Sequence, residues 1–238
     1  MVILDNIKKL DNYFETFEPQ TDVIVVGTSP SLNSYNFGKY IDKFKTVIRV
    51  NKCFFDGMYQ HTGRKVDIWS TTNNNRWDYF HPIKSEPLTI WPRKDDVGRE
   101  MSHKYREFDN VNVDSGTWGF LTKHYGGPKF RHKYKKNKDL GKFIGVGTGL
   151  ITLDRAIINF SKITIIGHTF YLEGGEDDRA LNFYNKEEDA EHKKNRKDYF
   201  KGDKHRFRQM DFVQNWISEN KIMLLNPFEY DNLRTRKK

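Results

Sequence analysis

Two apolar runs in this chain each stop at a glycine and continue into small hydroxyl residues: DVIVVGTSPSL at 22–32 and KITIIGHTFY at 162–171. Val23 to Val26 is continuous, without the polar alternation of a half-exposed strand, so it reads as a parallel strand covered on both faces. The stop at Gly27 reads as a strand-to-helix junction, which offers backbone N–H groups to an anion. Ahead of the second run stands GVGTGLITLDRAI at 145–157, where Thr148-Gly149 opens an apolar helix of Leu150, Leu153, Ala156, Ile157 and Phe160. The strand Ile163 to Ile166 follows and ends at Gly167. Two such turns in one sheet suit a nucleotide held by its phosphate and ribose.

Further buried-strand patterns fall at 46–50, 66–70, 88–92, 111–114 and 221–225, and helical spacing at 99–108, 117–124, 149–160 and 206–219. The last of these carries Phe207, Met210, Val213, Trp216 and Ile217 three or four apart. Alternating strands and helices predict a Rossmann-like α/β domain with a mostly parallel, twisted sheet of about seven strands and helices on both faces. At 238 residues the chain suits one such domain, 1–238, with a full core. Ligands of these sheets bind beyond the carboxyl ends of the strands, where Gly27, Asn51, Ser70 and Gly167 fall. Residues 125–142 and 172–204 are polar and charged, and read as long loops of the kind that form lids or stay disordered.

The formal charge is +9, concentrated at 131–142, 192–208 and the tail RTRKK, which favours anionic ligands or an acidic membrane surface. Cys53 is the only cysteine, which rules out an intrachain disulfide and a cysteine-based metal site and fits a reducing compartment. The N-terminal segment MVILDNIKKLDNYFETF is not a signal or anchor pattern, and no stretch approaches the roughly 20 apolar residues of a membrane span. These features predict a cytoplasmic protein, with peripheral membrane contact through its basic loops. Neither G-x-G-x-x-G nor G-x-x-x-x-G-K-[ST] occurs, and there is no Asp-x-Asp pair to hold a divalent ion against a departing diphosphate.

Read in order, V-V-G-T-S-P-S-L at 25–32, V-I-R-V-N-K at 47–52, G-R-K-V-D-I-W at 63–69, G-T-G-L at 147–150 and I-I-G-H-T-F-Y at 165–171 lead to a histidine, His205, ahead of a helix. This order resembles the sialyltransferases: glycosyltransferase family 29, with its large, small and very-small sialyl motifs, and the bacterial family 42. The first block is similar to the family turn G-N-S/G-x-x-L, with Thr28 where both families usually carry asparagine, and R-V-N-K is similar to R-M/C-N-Q/K. The resemblance implies a variant GT-A, sialyltransferase-like fold, no cofactor, a CMP-activated sugar donor and a glycan or glycolipid acceptor. It gives Gly27, Thr28 and Ser29 to the ribose and phosphate, and Asn51 to the nucleotide or its sugar. Ser70, Thr148 and Gly149 join the donor site, and Tyr171 matches a family 42 tyrosine that binds the leaving phosphate. The cysteines that link the large and small motifs of the secretory enzymes are absent, which fits a bacterial or viral style of enzyme.

His205 takes the part of general base, because an inverting transfer needs the acceptor hydroxyl deprotonated as it attacks, and imidazole titrates near neutrality. His168, directly after the Gly167 turn, is its rival. The reading that follows is a metal-independent, inverting glycosyltransferase moving sialic acid or a related acidic keto-sugar. Two other classes stay open. A Mg-dependent nucleotide-processing enzyme of pyrophosphokinase type also starts with V-x-G-x-x-P-S-L and needs paired carboxylates at strand ends. A nucleic-acid binder would set Trp69, Trp77, Trp91 and Trp118 among its basic residues, although core packing suits those tryptophans better.

Overall fold

The structure is a computed structural model and describes residues 2–51, 57–71, 88–92, 111–113, 148–169 and 203–230. Among these, seven strands form one sheet: β1 (Val23–Val26), β2 (Thr46–Val50), β3 (Ile68–Thr71), β4 (Leu88–Pro92), β5 (Val111–Val113), β6 (Ile163–Ile166) and β7 (Ile222–Leu224). Their order is β5-β4-β3-β2-β1-β6-β7, and every pairing is parallel. The expected strands are all present, with ends moved by one or two residues. The helical patterns expected at 99–108 and 117–124, and the stretch 125–142, lie outside the described residues.

Parallel neighbours need a crossover, and here the crossovers divide the core in two. Along β1 the side chains alternate faces. Val23 and Val25 join Ile48, Val50, Ile163 and Ile165 under α4 (Thr148–Phe160) and α5 (Asp203–Ser218), packing with Leu150, Leu153, Ala156, Met210 and Val213. Ile24 and Val26 face the other way, with Val47 and Ile166, against α1 (Val2–Glu15), whose Leu10 and Phe14 stand one turn apart. Two short helices, α2 (Gly38–Ile41) and α3 (Tyr59–Thr62), complete the described helices. Helices therefore cover both faces, as the unbroken apolar strands require. The helix α1 has no counterpart among the sequence expectations, although Ile3, Ile7, Leu10 and Phe14 fall three and four apart in the sequence.

The sheet reverses its winding at β1. The chain leaves β1 toward β2, β3, β4 and β5, then returns to lay β6 on the other side of β1. Such a reversal opens a crevice at the carboxyl ends of the two flanking strands. Both α4 and α5 precede a parallel strand through a short turn, so each runs antiparallel to the sheet. Their N-terminal turns therefore lie on the same carboxyl edge as the crevice.

Candidate functional site

The crevice is framed by the turns after β1 and β6, which grip one another through the backbone. The Gly27 N–H donates to Ile166 O (2.8 Å) and the Ser29 N–H to Gly167 O (3.1 Å). The Ser29 hydroxyl accepts from the Thr169 N–H (3.0 Å) and from the Thr169 hydroxyl (2.7 Å), which leaves it one proton to give. Gly167 sits at φ +75°, a left-handed conformation natural to glycine, and so turns its carbonyl toward the first loop.

This corrects one expectation. The residues after Gly27 do not start an α-helix but a five-residue 3-10 turn, Pro30–Ser34, without a side-chain cap. The amides of Gly27 and Ser29 are already bonded to the β6 side, so this turn is not an open cradle of N–H groups. Thr28, half-buried between them, has no hydrogen-bond partner among the described residues. Of the three predicted first-turn residues it is the one whose hydroxyl and N–H make no hydrogen bond among the described residues.

The open helix N-terminus at this edge is that of α4, a helix of 13 residues. Its leading N–H groups have no acceptor within the helix, and the macrodipole adds positive potential there. Thr148 and Gly149, both half-buried, form that end. A β-carbon placed at Gly149 would meet His168 Nδ1 at 3.5 Å, ordinary contact, so the terminus borders the Gly167 turn directly.

Ser70 and Asn51 close the side under β2 and β3. The Ser70 hydroxyl lies 2.6 Å from that of Thr152. Thr152 gives its own proton to Thr148 O at 2.8 Å, so Ser70 is the donor of the pair. The Ser70 side chain thereby fastens the end of β3 to the first turns of α4. Asn51 stands at φ 54°, its N–H bonded to Ser70 O (2.8 Å) and its carbonyl accepting from the Trp69 indole (2.6 Å). The left-handed conformation ends β2 abruptly at the crevice mouth.

His205 lies in the first turn of α5, and so on the carboxyl edge with the other predicted residues. The rival, His168, is buried at 3% exposure, and desolvation pulls its pKa down to about 4 against a partly opposing hydrogen bond to the Val25 backbone. A buried imidazole of that basicity is unsuited to take a proton from an incoming hydroxyl at neutral pH. Tyr171 and most of the predicted loop 172–204 lie outside the described residues; only Asp203 and Lys204 are described, in α5.

Two charged residues here carried no signal in the sequence. Arg49, from the R-V-N-K block, is completely buried, and its guanidinium donates to Lys65 O and Thr62 O, both at 2.8 Å. It supports the loop before β3 from within. Glu229, 6% exposed, reaches the crevice from the turn after β7. The tryptophans suggested for nucleic-acid stacking behave as core where described: Trp69 is 1% and Trp91 3% exposed, the latter under the Arg155 guanidinium at 4.3 Å. Trp77 and Trp118 lie outside the described residues.

Residues 7–82 match the model of "Glycosyltransferase family 29 (sialyltransferase)", a span that includes Gly27, Thr28, Ser29, Asn51 and Ser70. That stretch is similar to the sialyltransferases. Among solved structures it is similar to a mammalian sialyltransferase, at 14% identity and a TM-score of 0.50. It is similar also to a mammalian sialyltransferase in complex with Gal-beta-1-3GalNAc-ortho-nitrophenol, at 14% identity and a TM-score of 0.47. Each alignment covers 94% of this sialyltransferase-like chain and 79% of the other. At that identity the first likeness bears on the fold alone. No curated protein matches in sequence.

Proposed function

We propose that this sialyltransferase-like protein moves sialic acid or a related acidic keto-sugar from a CMP-sugar to a glycan hydroxyl, with inversion and without a metal. The observation that carries the reading is the meeting of the Gly27 and Gly167 turns with the N-terminus of α4 at the switch point of the sheet, inside and beside the span matched by the sialyltransferase model. The α4 terminus stabilises the CMP phosphate, which gains charge as the glycosidic bond breaks. Thr28 and Asn51 hold the nucleotide, and His205 takes the proton from the attacking hydroxyl as it displaces CMP. Charge neutralisation by helix and backbone takes the place of a divalent ion, in keeping with a sequence that lacks Asp-x-Asp. No helix among the described residues is long and apolar enough to cross a membrane. The lone cysteine favours a reducing compartment, and the basic segments favour an anionic or membrane-linked acceptor.

The test is the shift in unfolding temperature with CMP against UMP, GMP, UDP and ATP, each with and without Mg²⁺. Ligand at about 100 times its Kd stabilises by roughly 2.7 kcal/mol. Stabilisation by CMP that Mg²⁺ does not alter supports the reading. Transfer by His205→Ala should then fall about 10²- to 10⁴-fold with CMP binding kept. Stabilisation by ATP with Mg²⁺ and none by CMP sinks the reading and favours the nucleotide-processing class.

A further inference from the structure

The chain does not end its structural work at β7. Leu225 continues the ladder, its N–H bonded to Ile165 O (3.0 Å), and the chain then turns back across the carboxyl end of β6. Asn226 shapes that turn by accepting the Phe228 N–H (3.0 Å) on its side chain and the Glu229 N–H (3.1 Å) on its carbonyl. Two side chains from the turn then take the backbone polar groups of the β6 loop. Glu229 Oε1 accepts from the Gly167 N–H (2.7 Å), and the Tyr230 hydroxyl donates to His168 O (3.2 Å). The same Glu229 oxygen also accepts from the Ser31 hydroxyl in the first turn (2.7 Å).

One buried oxygen thus joins both walls of the crevice. Gly167 presents its N–H to Glu229 and its carbonyl to the Ser29 N–H, so the first turn is held twice: directly through Ser29, and through Glu229 by way of Ser31. Bonds to a carboxylate are roughly twice as strong as neutral ones, and a buried one fixes its donors tightly. We propose that Glu229 is a positioning residue of the donor site, whose carboxylate sets the separation of the first and second turns and hence the fit of Thr28 to the nucleotide. The proposal rests on the donor reading above. It assigns Glu229 no contact with the sugar and no part in proton transfer.

The experiment is calorimetric titration of CMP into the wild type, Glu229→Ala, Glu229→Gln, Ser31→Ala and the double variant Ser31→Ala/Glu229→Ala, each well below its unfolding midpoint. Glu229→Ala should weaken CMP about tenfold, on the order of one charged hydrogen bond. Glu229→Gln keeps an acceptor oxygen and should stay within about threefold of wild type, the rescue that marks positioning. Ser31→Ala should cost about threefold, and the double variant no more than Glu229→Ala, because both changes cut one connection. CMP binding unchanged in Glu229→Ala overturns the proposal, as does a Gln variant as weak as the Ala one. Should Glu229→Ala fail to fold, wild-type affinity in Ser31→Ala overturns it equally. A wild type that does not bind CMP defeats the donor reading and this proposal with it; wild-type binding with unaffected variants defeats this proposal alone.

Discussion

Gly27 lies so close against Gly167 that a β-carbon at residue 27 would overlap the carbonyl oxygen of Gly167. The contact joins the ends of β1 and β6, and it explains why both apolar runs stop at a residue without a side chain. Gly149 differs: a β-carbon there meets nothing nearer than His168 Nδ1 at 3.5 Å. Gly27→Ala should therefore destabilise the protein by about 3 kcal/mol or more through forced separation of the two turns. Gly149→Ala should leave stability equal or slightly raised, since alanine favours a helix by up to about 1 kcal/mol over glycine. If Gly149 faces the donor phosphate, the same variant loses CMP affinity. Denaturant titration and CMP calorimetry on both variants separate a glycine needed by the fold from one needed by a ligand.

Asn51 holds φ 54°, a conformation asparagine tolerates and glycine adopts freely. Asn51→Gly should keep stability within about 1 kcal/mol, while Asn51→Ala should cost roughly 1–2 kcal/mol in backbone strain. Both lose the side-chain amide, so both should weaken CMP binding to a similar extent. Equal CMP affinity in wild type and Asn51→Gly would mean that this position serves only the turn.

His168 makes stability depend on pH. Its folded pKa of about 4 lies below the ordinary value of 6.5, so between these limits the unfolded chain binds more protons than the folded one. Its contribution is fully present above pH 6.5 and is lost as pH falls toward 4, on the order of 3 kcal/mol in all. His168→Gln removes this titration. Comparing urea midpoints of the two proteins from pH 7 to 4.5 should show the wild type losing stability more steeply, and parallel curves would contradict the burial of a neutral imidazole.

Arg49 is expected to matter for folding rather than for chemistry. Arg49→Met keeps bulk but leaves Thr62 O and Lys65 O without their donor, at a cost of about 2–4 kcal/mol. CMP affinity of the folded variant should be unchanged, because the buried guanidinium bonds the segment before β3. A variant of normal stability that has lost CMP binding would place this arginine at the ligand instead.

The strands, their ends and the class of fold were legible in the sequence because their signals are local. An unbroken run such as Val23 to Val26 has no stable solution except burial on both faces, and that alone calls for helices above and below a parallel sheet. The glycines that end β1 and β6, and the Thr148-Gly149 opening of α4, are equally local marks of backbone conformation. His205 was placed at a helix start, and a helix before a parallel strand must begin at the carboxyl edge. These features also carried the resemblance to the sialyltransferases.

What the tertiary structure decided is which polar groups are already engaged. The Gly27 and Ser29 amides read from sequence as open to an anion, but the β6 turn takes both, and the helix N-terminus bordering that turn is the start of α4. Ser70 reads from its place at a strand end as a donor contact, and its hydroxyl bonds within the fold to Thr152. Glu229 looked like nothing, since its partner Ser31 stands 198 positions away. Hydrogen bonds between residues so far apart leave no period or spacing in the chain, because their geometry exists only after β6 has been laid against β1.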